Sequence, residues 1–304
     1  MDQITLRQLR YFDALARLNH FGRAADTCAI SQPALSMQIK ELEDALGVVL
    51  IERGARSVRL TRFGEEAALR VRTILRSVDE LGDVARASQA RLGGRLRIGV
   101  IPTIAPYLMP AIIGSLARAN GELDVQVRET LTANLIRELE DGLLDAAIVA
   151  LPVSEPSLTE VPLFSEDFVL VRPAADRNKP VPAPEMLCNM NLLLLEEGHC
   201  FRDQALSFCR VESVRSLRLL DYSSLSTLVQ MVSAGIGVTL IPEMAVSIET
   251  RAAAVSVAQF KKPRPARTIG MVWRKTNPLA QQFLQISEIV NQAASSLHKA
   301  RKSS

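Results

Sequence analysis

The segment EEGHCFRDQALSFC at positions 196–209 sets two thiols, Cys200 and Cys209, nine residues apart. Zinc sites favour short Cys-x-x-Cys pairs with nearby histidines. That spacing is missing and the three histidines are scattered, so no metal centre is expected. Residues 202–209 fit a short helix. At about 1.5 Å rise per residue the two cysteine Cα atoms would stand roughly 13 Å apart, whereas a disulfide needs ~4.4–6.8 Å. Bridging them requires the segment to refold, which suits a switch and not a staple. Cys200 lies just before this helix, with His199 and Arg202 as neighbours. A helix N-terminus and adjacent cations favour the thiolate, the form that attacks. Attack on a peroxide O–O bond gives a sulfenic acid, and condensation with a second thiol gives a disulfide. Closing a loop of about ten residues costs something like 2–3 kcal/mol of chain entropy, less than an oxidant's driving force. Cys28 and Cys188 read instead as small buried residues.

The elements that must position this chemistry begin at the N-terminus. Leu6, Leu9, Phe12, Leu15 and Ala16 form a helical stripe over residues 5–19. A second short helix carries Phe21, Ala24, Ala25 and Cys28 on one face, and the paired alanines let another helix cross closely. After a brief turn at Ala29 and Ile30, Ser31 fits an N-cap and Pro33 the first turn of a third helix. Leu35, Ile39, Leu42 and Leu46 make its buried stripe, and Gly47 is placed to end it. Three short helices with a tight turn before the third describe a helix-turn-helix. The opposite face of the third helix carries Pro33, Ser36, Met37 and Lys40, with Gln32 at its N-terminal end. Small and polar side chains there can meet base edges in a major groove, and the helix N-terminus, with Ser31, favours a phosphate.

Residues 51–62, IERGARSVRLTR, read as a short β-ribbon turning near Gly54–Ser57. Arg53, Arg56, Arg59 and Arg62 place four positive charges within ten residues. A winged helix-turn-helix uses such a ribbon against phosphates or the minor groove. One such arginine alone would be a solvated surface residue; four beside a helix-turn-helix point to DNA. A long helix follows over about 63–91. Ala67, Ile74, Leu81 and Ser88 repeat every seven residues, with Val71, Val78, Ala85 and Leu92 as the offset series. That heptad seam predicts a dimer helix carrying two DNA heads.

Gly93 and Gly94 mark a hinge. Strand candidates after it are Leu96–Ile101, Leu123–Glu129, Asp145–Leu151, Asp167–Val171, Leu192–Leu195, Leu217–Leu220, Val238–Ile241, Val255–Phe260 and Thr268–Trp273. Helices fall near 106–119 and 132–142, and a last one at about 278–297 precedes a polar tail, HKARKSS, expected to fray. Such alternation predicts mainly parallel sheets with ligand sites at strand C-terminal ends. The expected organisation is a winged helix-turn-helix at 1–62, a linker helix at 63–92 and a regulatory α/β region at 93–304. Two facing subdomains would divide the last, about 95–165 plus 268–300, and 166–267.

At this point the residues reach a family. FGRAADTCAISQPALSMQIKELEDALGVVLIER resembles the N-terminal signature of the LysR-type transcriptional regulators, and the resemblance extends over the whole chain. It implies a two-lobed regulatory domain like a type II periplasmic binding protein, and a homodimer or homotetramer acting at promoter DNA with RNA polymerase. Gln32, Pro33, Ser36 and Arg53 match family DNA-contact positions; Ser31, Lys40 and Arg56 complete the expected interface. The cysteine segment, with IPTIAPYL at Ile101–Leu108 and RTIGMVWR at Arg267–Arg274, is similar to the OxyR branch, the hydrogen-peroxide sensors. That similarity implies Cys200 as peroxidatic and Cys209 as resolving cysteine. It also implies a polar pocket of Thr103, Thr132, His199, Arg202 and Asp203, with Arg267 favouring the thiolate and a cellular thiol reductant resetting the switch. Some relatives place a further His where Leu219 stands here.

Bulk properties agree. The chain has 304 residues, 48% of them hydrophobic, enough for more than one core, and a mild net charge of +3 that permits nucleic acid without requiring it. The N-terminus MDQITLRQLR is charged and lacks a signal-peptide core, and the apolar runs are too short for a bilayer. A cytoplasmic location, no membrane contact and no organic cofactor are expected. Two rival functions stay open: a LysR-type regulator binding a small metabolite through Thr103, Ser223 and Ser224, and a thiol peroxidase, for which the DNA head would have no purpose.

Overall fold

The computed structural model describes residues 4–52, 58–88, 94–119, 121, 123–209 and 221–302. The chain divides into two compact units, Met1–Ala85 and Arg86–Ser304.

The first unit is built on α1 (Leu6–Leu18), α2 (Phe21–Thr27) and α3 (Gln32–Leu46). A capping box starts α1: Gln8 N donates to Thr5 Oγ1 and Thr5 N to Gln8 Oε1. Ser31 caps α3, its Oγ accepting from Ala34 N at 3.3 Å, and Gly47 ends the helix at φ +69°. Leu35, Ile39 and Leu42 pack with Phe12, Leu15, Ala24 and Ala25 in one core. Burying each of the larger side chains contributes about 1.5–3 kcal/mol. The ribbon expected at 51–62 is present as β1 (Ile51–Glu52) and β2 (Arg59–Leu60), antiparallel, with Ile51 opposite Leu60. Its expected turn, with Arg53 and Arg56, lies outside the described residues. Buried Glu43 of α3 anchors the ribbon: its Oε1 accepts from Leu50 N at 2.8 Å and Ile51 N at 3.2 Å.

Helix α4 (Arg62–Ser88) starts against this ribbon. A Cβ at Gly64 would lie 2.1 Å from the Leu50 carbonyl oxygen, so only glycine permits this approach. The heptad seam divides. Ala68 and Val71 are buried in the unit's own core, with Ala67 and Leu75 packed beside them. Farther along, Ile74, Leu81 and Val84 are exposed, Leu81 by 71%.

The second unit contains β3 (Gly94–Val100), α5 (Ala105–Ala119), β4 (Leu123–Glu129), α6 (Thr132–Glu140), β5 (Ala146–Leu151) and β6 (Leu158–Pro173). After these come β7 (Leu192–Leu195), α7 (Cys200–Phe208), β8 (Asp221–Tyr222), α8 (Leu225–Ser233), β9 (Val238–Pro242), α9 (Val246–Glu249), β10 (Val255–Gln259), β11 (Ala266–Arg274) and α10 (Ala280–Lys302). The strands join in the order β4-β3-β5-β11-β6-β9-β7-β8, with β10 on β6.

The sheet is mixed, not mainly parallel. β3 runs parallel to β4 and β5, and β7 parallel to β8 and β9, but β6 and β11 are antiparallel to every described neighbour. Strand β6 has 16 residues where only Asp167–Val171 was expected. Its first half alternates poorly because the strand passes between two cores. Leu158 belongs to the first core, with Ile98, Ile148, Met271 and Phe283; Phe168–Val171 belong to the second, with Leu194, Val229 and Ile241. The expected strand Leu217–Leu220 lies outside the described residues. The last helix runs on to Lys302 where a frayed tail was expected, since Lys, Ala and Arg are good helix formers.

Tyr107 of α5 ties the two cores together. Its hydroxyl donates to Glu249 Oε1 of α9 at 2.6 Å, and Ser226 Oγ of α8 donates to Oε2 at 2.6 Å. Burial first, then the bond to Glu249, raises the Tyr107 pKa, so the phenol stays protonated.

Candidate redox site and nucleic-acid interface

On α3, Ser31, Gln32, Pro33, Ser36, Met37 and Lys40 are all exposed, on the side away from Leu35, Ile39 and Leu42. Arg59 and Arg62 are exposed beside the ribbon. The face is polar and basic at the N-terminal half of the helix, where base-reading side chains of a helix-turn-helix sit.

In the second unit, Cys200 is the first residue of α7 and Cys209 its C-cap, so the helix itself holds them apart. Neither is in a disulfide in this structure. Nine residues of helix correspond to roughly 13 Å of rise. The thiols also belong to different surroundings. Cys200 is half-buried against the first core, whereas Cys209 is buried in the second, in line with Phe201 and Ala205 along α7.

Two contacts bracket Cys200. Gly198, at φ +95°, approaches α6 so closely that a Cβ there would meet Leu131 Cδ1 at 3.0 Å, next to Thr132. On the other side, the Arg267 guanidinium carbon lies 5.4 Å from the Phe201 ring centroid. Arg267 in turn donates Nη1 to Thr103 Oγ1 at 2.8 Å. The start of α7 is therefore flanked by the elements that carry Thr103, Thr132 and Arg267.

Two oxygens in this region are buried without a described protein partner, Thr132 Oγ1 and Gln204 Oε1. Buried polar atoms normally find partners, so these suit a small polar guest. Thr103 Oγ1 accepts from Arg267, leaving its own proton free to donate.

The remaining predicted residues play different parts. His199 is buried beside the thiol, and burial lowers its pKa more than Glu196 at 3.9 Å raises it. It is therefore neutral near pH 7 and supplies no standing cation. Arg202 is buried, with Nη1 donating to the Leu195 carbonyl at 2.7 Å, which fastens α7 to the end of β7. Asp203 is exposed. Cys28 packs partly against the first unit's core and burial pushes its thiol up, as an inert cysteine requires. The Cys188 side chain and Leu219 lie outside the described residues. Among those described, no three His, Cys, Asp or Glu side chains gather as a metal site, and no helix is long and apolar enough to cross a membrane.

Residues 6–65 match the bacterial regulatory helix-turn-helix protein family of lysR type, and residues 89–293 match the LysR substrate binding domain. The chain is 42% identical over 296 residues to a probable hydrogen peroxide-inducible genes activator of Streptomyces viridosporus, covering 96% of this chain and 95% of that one. It is 41% identical to the DNA-binding transcriptional dual regulator OxyR of Escherichia coli, covering 94% and 95%. The chain belongs to the LysR family, in its OxyR branch. A solved full-length OxyR of Pseudomonas aeruginosa, a cysteine-to-aspartate variant, superposes with a TM-score of 0.75 at 37% identity, covering 95% of each chain. A cysteine-to-serine variant of Corynebacterium glutamicum OxyR, hydrogen-peroxide-bound, gives 0.68 at 34% identity, covering 97% of this chain and 94% of that one.

Within that LysR frame, Glu166 and Gln204 are the site residues that sequence reading missed. Glu166 sits directly opposite Arg267 across β6 and β11, and its Oε2 accepts from Arg267 Nε at 2.9 Å. Nothing local marks it, because the pair is 101 positions apart in sequence. Gln204 lay inside the segment that carries the resemblance, and its orphaned oxygen became visible only with the packing around it. For the rival metabolite reading, Ser224 Oγ is already engaged as the N-cap of α8, accepting from Thr227 N at 3.2 Å.

Proposed function

We propose that this regulator activates transcription in response to hydrogen peroxide, with Cys200 as the reacting thiol and Cys209 as its resolving partner. The observation that carries the reading is the placement of the two thiols at opposite ends of one short helix, each against a different core. The thiolate of Cys200 attacks one peroxide oxygen and the O–O bond breaks. The other oxygen leaves and ends as water, and Cys200 becomes a sulfenic acid. The Cys209 thiol then attacks that sulfur, water leaves, and an S–S bond forms. Each thiol has given up one electron. The second step cannot occur across an intact α7, because a disulfide spans only ~4.4–6.8 Å between Cα atoms. The helix must unwind and Cys209 must leave the second core.

Thr103, Thr132 and Gln204 are read as the polar lining that receives peroxide and its water. In the first unit, Ser31, Gln32, Pro33, Ser36 and Lys40, with Arg53 and Arg56, are read as the contacts to promoter DNA in the cytoplasm. The exposed stripe Ile74, Leu81 and Val84 supports pairing of two copies through α4, as a dimer or as part of a tetramer. Remodelling around α7 is read as altering the contact between copies, and with it the engagement of DNA and RNA polymerase. A cellular dithiol reductant returns the switch.

Peptide mass mapping of the full chain, before and after about one equivalent of hydrogen peroxide under anaerobic handling, tests this reading. A Cys200–Cys209 linked peptide is expected, formed quickly and at low dose. Thiols left unmodified at that dose would defeat the peroxide reading and leave the LysR assignment intact.

A further inference from the structure

Arg267 is buried together with Glu166 and Thr103, and each nitrogen of its guanidinium donates a hydrogen bond. Nε donates to Glu166 Oε2 at 2.9 Å, with Nη2 in ion-pair contact with the same oxygen at 2.8 Å; Nη1 donates to Thr103 Oγ1 at 2.8 Å, and Nη2 to the Thr103 carbonyl at 3.2 Å. The second Glu166 oxygen accepts the Met244 N–H at 3.0 Å, which fixes the carboxylate from the far side. Arg267 therefore cannot swing without breaking bonds at both ends.

This arrangement has two physical consequences. The Arg267–Glu166 pair is neutral as a unit, so its influence on the site lies chiefly in the direction of its hydrogen bonds. Thr103 Oγ1, by accepting a charge-assisted bond, becomes a stronger donor through its own proton, because hydrogen bonds in a chain polarise one another.

We infer that Glu166 is a positioning residue for peroxide reduction: it locks Arg267 so that the Thr103 hydroxyl is held as a donor to the departing peroxide oxygen. The inference rests on the reading that Cys200 reacts with peroxide. As the S–O bond forms and the O–O bond breaks, the departing oxygen carries the electron pair as hydroxide. It becomes water by taking up the proton that the Cys200 thiol released. The Thr103 O–H steadies the developing charge and is not consumed. A fixed donor aimed at developing charge gains most in a buried, preorganised site.

The test uses the full chain with Cys209→Ser, so that only the first step is read, by mass analysis of the Cys200 peptide over time. Hydrogen peroxide and iodoacetamide are applied separately. Both need the thiolate, but iodide leaves without a hydrogen-bond donor. Glu166→Gln is expected to slow peroxide oxidation about ten- to hundredfold, less than the roughly hundred- to thousandfold typical of losing a donor to developing charge outright, and to change alkylation by less than about threefold. Thr103→Val is expected to give the same split. The double variant should be no slower than Thr103→Val alone, since residues in one network are not additive. Glu166→Asp keeps the charge but withdraws the carboxylate, and should show the split in smaller degree. Peroxide and alkylation rates falling together in both Glu166 variants would overturn the proposal, as would effects of Glu166→Gln and Thr103→Val that multiply. A parent protein whose Cys200 alkylates normally but resists peroxide would overturn the peroxide reading itself, and this proposal with it.

Discussion

His199 adjoins Cys200 in sequence, but burial holds its pKa below the ordinary 6.5. The imidazole in the native chain is therefore neutral at pH 7, and the unfolded chain binds the proton more readily. Between the lowered native value and 6.5 the unfolded state carries more protons, so stability rises with pH through that window. The contribution is fully present above 6.5 and is lost as pH falls through the native value. Urea midpoints measured from pH 8 down to about pH 5 should show this decline, and His199→Gln should flatten it. An unchanged slope in the variant would mean that other groups carry the acid sensitivity. The same residue-scale reasoning separates Arg202 from Arg267. Both are buried, but Arg202 is tied to a backbone carbonyl while Arg267 reaches a side-chain hydroxyl that still has a proton to give.

On the proposed reading, helix α7 is both the barrier to disulfide formation and the scaffold of its first step. Its stability should therefore enter the rate of the second step alone. Ser207 is exposed on α7, and Ser207→Ala improves helix propensity by about 0.5 kcal/mol. Closure to the disulfide should slow about twofold for that gain, while sulfenic acid formation is unchanged; quenched-flow mass analysis resolves the two. In the other unit, Glu43 is the element that ties the ribbon to α3 through two backbone N–H groups. Glu43→Ala leaves both donors unmatched, at about 1–3 kcal/mol each. A lowered denaturation midpoint and weaker DNA binding are expected together. A variant that binds DNA normally would show the ribbon to be held by other contacts.

At the scale of the whole molecule, α4 must serve two masters. Its first turns complete the helix-turn-helix core through Ala68 and Val71, and its later turns expose Ile74, Leu81 and Val84. Leu81→Asp places a charge in the exposed stripe without touching that core. Sedimentation should then report a smaller species, and binding to a two-half-site operator should lose its cooperativity while binding to a single half-site persists. An unchanged sedimentation coefficient would move the contact between copies elsewhere. The second unit also acts as a whole. β6 runs through both cores, and Tyr107, Glu249 and Ser226 close a second link between them.

Much of this was legible in the sequence because its causes are local. The caps at Ser31 and Gly47, the stripe Leu35–Ile39–Leu42, the ribbon at 51–62 and the nine-residue cysteine spacing each depend on residues within a turn or two of one another. The family signature lies in those same stretches. Tertiary structure decided what depends on distant partners. The sheet is mixed because β6 and β11 return antiparallel through the middle, a pairing that no periodicity within either strand announces. The heptad seam split between an internal core and an exposed stripe because packing, not spacing, sets which residues are covered. His199 lost its expected charge to burial, and Arg267 gained Glu166 across 101 positions of chain. Sequence proximity assigns neighbours along the chain; desolvation and hydrogen-bond direction, which set the chemistry of a site, exist only once the chain has closed around it.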